Sequence, residues 1–521
     1  MINKENTDMK KLFIAISVFG LGAMLSSCNL ELYPETGYNE GNVEVDNENT
    51  SDTNAIKTKA DIEGQRTAMY NWLRGDFQDA NYKHLTANAC RADDAYGAGD
   101  SGKPTEMEAN TFTSDNEFPN TFWTGFMSGV SKANNVICNL DAVRENDPTL
   151  SETEYNQWMA EALCVRAYMW LLMTQYFGDI PMLTAIPPAI NADNVEEVYP
   201  LYFPKRVDAE TLKAQLEQDL AFACQYAPEP QSVEKDFASK GFAQYLVAKM
   251  YSLKQYRDWN KVKAACEAIE AMGYQLEPSY ATLWEFDLEA ETAKHNSVES
   301  IFEAGYDKPA SGNWFFMMFW RNHFKPADSF SWIKWCTPTR NLAEAYDAQG
   351  DTERKNISIR WDKCDWEQYY PKDNYAFMGK IPTNITVIYH ARLADVLLLH
   401  AEALANLGDA SGAMRLVNRV RERAKIATLP ENVGVEEAKL YVLNERRLEL
   451  AYEGHRYFDL MRFGDDYSKL KEVHDGGNVK GSASYDEWFA VRTPLSDERV
   501  ILPIPTSALD ENPNIEQNPG Y

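Results

Sequence analysis

Two distant stretches of this chain repeat one pattern. Arg392 to Leu407 carries Leu393, Val396, Leu397, His400 and Leu404 at helical spacing, breaks at Gly408-Asp409, and resumes from Ala410 to Ala424 with Ala413, Leu416, Val417 and Val420. A stretch from about Phe237 to Leu253 (Phe242, Tyr245, Leu246, Met250, Tyr251) turns at Tyr256-Arg257-Asp258 into a second helix with Trp259, Val262, Cys266, Ile269 and Met272. Each is an antiparallel helical pair of tetratricopeptide-like size. Such a pair cannot hide its apolar face alone, so pairs stack into a solenoid-like scaffold with loops on its flanks. The expected fold class is all-α, an α-α superhelix of these pairs.

Other segments fit the same scheme. Phe122, Trp123, Phe126, Met127, Val130, Ile137, Leu140 and Val143 keep to a stripe spaced by three and four. Trp158 to Phe177 is apolar almost all round and stops at Gly178 and Pro181, which predicts a buried axle. A further helix is expected from about Glu436 to Ala451. Between the pairs, from about 274 to 389, helical periodicity fails and aromatic residues crowd in, among them Trp284, Tyr306, Trp314, Trp320, Trp332, Trp335 and Trp361. Long irregular insertions on a rigid scaffold are where function tends to sit.

The start of the chain predicts its address. Lys4, Lys10 and Lys11 precede an uncharged apolar run from Leu12 to Leu25, followed by Ser26-Ser27-Cys28. This order reads as a lipoprotein signal peptide over residues 1–27, with Cys28 the lipidated first residue of the mature protein. Residues 28–60 are rich in Asn, Asp, Glu and Thr and read as a tether, leaving 61–521 as the folded body. No later apolar stretch approaches the length of a membrane span.

A net charge of −28 repels phosphate backbones, so nucleic acid is not an expected partner and neutral ligands suit the field better. The cysteines after Cys28 show no CxxC and no regular spacing, so no disulfide framework or metal site is expected. Cys138, Cys164, Cys224 and Cys266 lie in helical patterns and read as core.

Three motifs resemble chemistry without its context. Gly97-Ala98-Gly99-Asp100-Ser101-Gly102-Lys103 satisfies phosphate-loop strings, yet no strand precedes it, Pro104 stands where Ser or Thr belongs, and neighbouring aspartates repel phosphate. His400-Ala401-Glu402 opens like a zinc-deaminase signature, but no PCxxC follows, and His400 reads as a core-facing helix residue. Glu445 to Asp459 is dense in both charges, and its spacing on a helix predicts a semi-buried ion-pair lattice.

The aromatic crowd admits three readings: core, partner interface, or platforms for sugar rings. Sugars offer apolar C–H faces that stack on Trp and Tyr, while their hydroxyls need Asp, Asn or Arg at the rim. Tyr306-Asp307, Trp314 through Trp320-Arg321-Asn322, and Arg91-Ala92-Asp93-Asp94-Ala95-Tyr96 mix the two kinds. The ligand-binding residues expected are therefore Asp94, Tyr96, Tyr306, Asp307, Trp314, Trp320 and Arg321.

Six ordered blocks carry a family resemblance. They are Cys28 with its preceding small residues; Phe122-Trp123-Thr124-Gly125-Phe126 leading to Ala133-Asn134-Asn135-Val136; and Glu161-Ala162 through Arg166-Ala167-Tyr168 to Tyr176-Phe177-Gly178-Asp179-Ile180-Pro181. Then come Arg392 to Leu404, Asn444-Glu445-Arg446-Arg447 to Gly454-His455-Arg456-Tyr457-Phe458-Asp459-Leu460, and Leu502-Pro503-Ile504-Pro505 with the closing Asn512 to Tyr521. In these blocks the chain resembles the SusD/RagB family of Bacteroidetes outer-membrane nutrient-binding lipoproteins. The resemblance implies four tetratricopeptide-like pairs and a variable loop face that binds a glycan or sometimes a peptide. It also implies a partner, a SusC-like TonB-dependent β-barrel transporter that the lipoprotein covers as a hinged lid, with the tetratricopeptide side towards the barrel. In starch-binding members an aromatic arc draws on an early loop and the central insertion, where the nearest counterparts here are Tyr96, Tyr306, Trp314 and Trp320.

The function expected is capture of an oligosaccharide nutrient at the outer membrane and its delivery to that transporter, without catalysis, cofactor or metal. Cell-surface exposure is expected, although only Glu31 supplies an acid just after Cys28, where surface-exported relatives often show an acidic cluster. The alternatives are a glycan hydrolase on a helical scaffold, a peptide-binding member of the same family, and a protein-binding tetratricopeptide scaffold.

Overall fold

A computed structural model describes residues 56–99, 101–191, 193–287, 290, 292–306, 314, 318–319, 335–364 and 369–521. Cys28, the signal peptide and nearly all of the tether lie outside the described residues, as do Asp307, Trp320 and Arg321. Among the described residues, no helix is long and apolar enough to cross a membrane.

The helices are α1 (Lys59–Arg74), α2 (Gln78–Cys90), α3 (Lys103–Ala109), α4 (Glu117–Asn146), α5 (Glu152–Phe177), α6 (Val195–Tyr202), α7 (Ala209–Tyr226), α8 (Lys240–Ser252) and α9 (Trp259–Glu270). After the aromatic-rich stretch come α10 (Arg340–Ala348), α11 (Thr352–Ser358), α12 (Leu393–Asn406), α13 (Ala410–Arg423), α14 (Val435–Glu449), α15 (Arg456–Arg462), α16 (Ser468–Gly476) and α17 (Thr506–Glu511). Packing follows the chain: α4 lies on α5, α5 on α7, α7 on α8, α8 on α9, α9 on α12, α12 on α13, and α14 on both of the last two. The repeated pairs therefore share one stack, as their spacing requires.

Local chemistry sets the ends and the closeness of these helices. Ser151 and Glu154 form a reciprocal capping box at the start of α5, and Gly178, at φ +73°, ends it. As expected of an axle, α5 is buried along nearly its whole length. On α4, a Cβ at Gly129 would come within 2.5 Å of the Trp72 ring and 2.7 Å of Met169, so only glycine lets α1 and α5 both press against α4.

Strands are short and form two-stranded antiparallel ribbons among the described residues, three of them being β2 (Ile180–Pro181) with β3 (Arg206–Val207), β4 (Phe286–Asp287) with β5 (Thr292–Ala293), and β8 (Ile359–Asp362) with β9 (Tyr375–Met378). The other two matter below. In one, β1 (Ala95–Gly97) pairs with β7 (Cys336–Pro338), placing Tyr96 opposite Thr337. In the other, β6 (Ser300–Tyr306) pairs with β10 (Thr386–Arg392).

The charged block at Glu445 to Asp459 forms the ion-pair lattice its spacing predicts. Arg354 binds Asp351, Glu445 and Glu449; Arg392 binds Glu299, Glu449 and Glu453; Arg423 binds Glu299 and Glu449. Arg421 on Glu445 and Lys380 on Glu453 bring the set to five cations and five carboxylates. Beside it, Arg446 joins Asp395 and Asp459. Pairing makes so many buried charges tolerable and ties β6, β10, α11, α13 and α14 into one arrangement.

Residues 59–90 hold two helices the apolar pattern does not signal (α1, α2), since polar residues hide the period: Gln78, Asn81, Lys83 and Asn88 on α2 are all buried. Three expectations need correction. The stretch around 340–358 inside the aromatic-rich insertion is helical as well (α10, α11). The tether's expected end at 60 runs into α1, which Thr58 caps. Cys138 is exposed rather than core, with its thiol 3.7 Å from the Thr184 carbonyl oxygen.

Candidate functional site

Four segments far apart in sequence meet at the β1/β7 ribbon. Tyr96 on β1 is fully buried, and Tyr369 stacks on it with centroids 4.8 Å apart and planes 7° from parallel. Tyr369 donates its hydroxyl to the Gly97 carbonyl at 2.9 Å, and Tyr370 donates to the Pro338 carbonyl at 2.8 Å. Trp488 stands nearly edge-on to Tyr369, with centroids 6.5 Å apart, and is 37% exposed. The Arg340 guanidinium lies between Trp488 and Tyr370, 4.6 Å from one ring centre and 4.5 Å from the other. Tyr485, 40% exposed, flanks Trp488 on the same segment.

Hydrogen bonds fix this aromatic surface from below. The Tyr96 hydroxyl donates to the Asp486 carboxylate and accepts from the Arg340 amide at 3.2 Å. Asp486 in turn accepts from the Trp488 amide at 3.0 Å. Glu108 on α3 accepts from the Gly97 amide and the Ala490 amide, both at 2.6 Å, and so joins β1 to the segment that carries Trp488. Burial pushes the Glu108 carboxyl up to about 7, against the pull of Arg492 and of the two amides.

A second exposed ring packs against α2. Trp314, 39% exposed, donates its backbone N–H to the Gln78 side chain at 3.1 Å and packs edge-on against Tyr82 at 5.4 Å. Tyr82 packs against Trp335 at 5.2 Å, and the Trp335 carbonyl accepts from the Ala98 amide at the end of β1. Lys83, held by Thr121 at 2.8 Å and by Asp79, lies 5.4 Å from the Tyr82 ring centre. Tyr82 and Trp335 thus link Trp314 to the end of β1.

Of the seven residues expected to touch a ligand, Trp314 is at the surface. Asp94, Tyr96 and Tyr306 are not. Asp94 is buried under Arg447, whose Nε donates to it at 2.7 Å. Tyr96 is the base of the Tyr369 stack, and Tyr306 ends β6 inside the core opposite Thr386. Strand pairing and the ion lattice claim all three. Trp488, Tyr485, Tyr369 and Arg340 were not anticipated. The signal was present, since Tyr485-Asp486-Glu487-Trp488-Phe489 mixes aromatics and acids as the insertion does, but it falls outside the aromatic-rich stretch.

The glycine loop departs from expectation in one respect, because the strand β1 does precede it and Lys103 opens α3; Pro104 still follows Lys103, and Lys103 pairs with Glu106 within its own short helix. His400 is buried, with Nδ1 2.7 Å from Glu270. Among the described residues, no group of three or more His, Cys, Asp or Glu is placed to hold a metal ion.

Comparison with known proteins adds the following. Residues 383–521 match the model of the SusD family, and residues 41–252 match a SusD-like model described as starch-binding and associating with the outer membrane. The chain is 24% identical to SusD-like protein P38 of Formosa agariphila, over 96% of each chain. It is 33% identical to the starch-binding protein SusD of Bacteroides thetaiotaomicron, over 25% of this chain and 21% of that one. Among solved structures, a SusD homolog from Bacteroides thetaiotaomicron superposes with a TM-score of 0.73 at 18% identity, covering 89% of this chain and 98% of the other. Surface glycan-binding protein A of the same organism, solved with laminarihexaose, gives a TM-score of 0.69 at 20% identity, covering 89% and 100%.

Proposed function

Because the chain belongs to the SusD-like family, we propose that it is a lipid-anchored outer-membrane protein that binds an oligosaccharide on the Trp488 and Trp314 surface. It passes that cargo to a SusC-like TonB-dependent β-barrel transporter. Lipidation falls on Cys28, and the mature protein faces the cell exterior. The observation that carries the reading is the exposed Trp488 ring, buttressed by Tyr369 and flanked by Arg340 and Asp486. A rigid indole face beside fixed polar groups suits the C–H faces and hydroxyls of a sugar.

The chain acts by binding rather than catalysis. Asp486, two residues before the exposed ring, is engaged by the Tyr96 hydroxyl and the Trp488 amide. Relatives are described as binding glycans, laminarin in one case and starch in another.

Calorimetry and affinity electrophoresis against β-glucans, α-glucans and host glycans test this reading. Saturable binding of one polymer class without release of reducing ends supports it. Release of reducing ends identifies a hydrolase. Binding of peptides alone identifies a peptide carrier, and binding of the barrel with neither glycan nor peptide identifies a docking scaffold.

A further inference from the structure

A separate cavity of about 60 Å³ opens between α2, α5, α8, β10 and the turn before α15. Its polar lining includes Asn81, His84, Lys249, His390, Glu453 and His455, and its apolar walls include Leu85, Leu172, Leu246 and Phe458. Gln175 and Phe458 also line a cleft of about 240 Å³, together with Leu253, Met461 and Ile501. Cavity and cleft are thus adjacent, sharing these two side chains.

One inner group lacks the partner that buried polar groups normally have. His390 is buried; its Nδ1 lies 3.2 Å from the Tyr168 hydroxyl, and its Nε2 has no hydrogen-bond partner. Asn81, also buried, lines the same cavity. The charged groups, by contrast, are spoken for. Lys249 lies 3.6 Å from Asp395, and both Glu453 oxygens serve Arg392.

We propose that the cavity and its cleft form a second binding site, separate from the aromatic surface, for one neutral monosaccharide unit. The surrounding lattice balances its own charges, so an ionic guest would lose hydration without gaining a counter-charge. Burial lowers His390 and His455 to about 4, and holds His84 low as well, so all three imidazoles are neutral at neutral pH. A neutral imidazole offers one donor and one acceptor, which matches a hydroxyl that both gives and takes a hydrogen bond. The leucine and phenylalanine walls match the C–H faces of a sugar ring. The site stands whether or not the aromatic surface binds glycan.

The test is histidine-selective NMR on the full mature chain, with D-glucose, glycerol and D-glucuronate as probes and resonances assigned by His390→Gln and His84→Gln. Expected is a saturable shift of the His390 signal with D-glucose that persists in Trp488→Ala. Asn81→Leu or the cavity-filling Leu172→Trp should weaken it about tenfold, the value of about one hydrogen bond, and Asn81→Leu serves if the larger side chain prevents folding. No His390 shift with D-glucose up to about 100 mM, far weaker than a millimolar site, overturns the proposal. So does a response to glycerol alone, which would mean the space is too small, or an equal response to D-glucuronate, which would mean charge is not discriminated.

Discussion

Tyr96 and Tyr369 lie ring on ring, 4.8 Å apart, and the fully buried partner carries the half-buried one. The buried hydroxyl also reaches Asp486, which holds the Trp488 amide. Tyr96→Phe keeps the stack and removes that link. We expect denaturant unfolding to show a loss of about 1–2 kcal/mol, as for a buried hydroxyl whose partners lose their bonds, with a weakening of glycan affinity as Trp488 loses its support.

Glu449 is the centre of the ion lattice, bound by Arg354, Arg392 and Arg423. Burial opposes its ionisation, but the three arginines overcome this and hold the carboxyl well below the usual range. Glu449→Gln leaves buried guanidinium groups uncompensated and should cost about 3–5 kcal/mol in denaturant unfolding.

Stability should depend on pH in two separate windows. Glu449 and Asp459 have depressed carboxyl values in the folded state, so their contribution is complete above the unfolded value, 4.5 for Glu and 3.8 for Asp, and is lost as pH falls further. Glu108 has the opposite sign. Raised from 4.5 to about 7, it stabilises fully below 4.5, and that contribution is lost as pH rises to about 7. The difference corresponds to about 3 kcal/mol. Glu108→Gln should flatten the upper window and leave the acid side unchanged, as read by unfolding at a series of pH values.

The helical scaffold was legible because its apolar spacing is regular and its burial follows that spacing, as in α5, α8, α12 and α13. Residues 59–90 were harder to read, since α2 buries Gln78, Asn81, Lys83 and Asn88 and shows no apolar stripe. The lattice at Glu445 to Asp459 was legible from its own charge pattern, whereas its partners Glu299 and Arg354 lie 93 and 95 residues from the groups they bind. The proposed ligand surface was the least legible part. Residue type singled out Tyr96 and Trp314 equally, but β1/β7 pairing buries one and leaves the other at the surface. Trp488 and Arg340 come together only through tertiary contact between segments that share no local pattern.

Calorimetric titration of the best-binding glycan into wild type, Trp488→Ala and Trp314→Ala tests the central claim most directly. Loss of an aromatic stacking face should weaken binding about tenfold for Trp488→Ala, equivalent to about 1–1.5 kcal/mol, with a smaller loss for Trp314→Ala and unfolding unchanged in both. Affinity unaltered by both substitutions in folded protein would contradict the account.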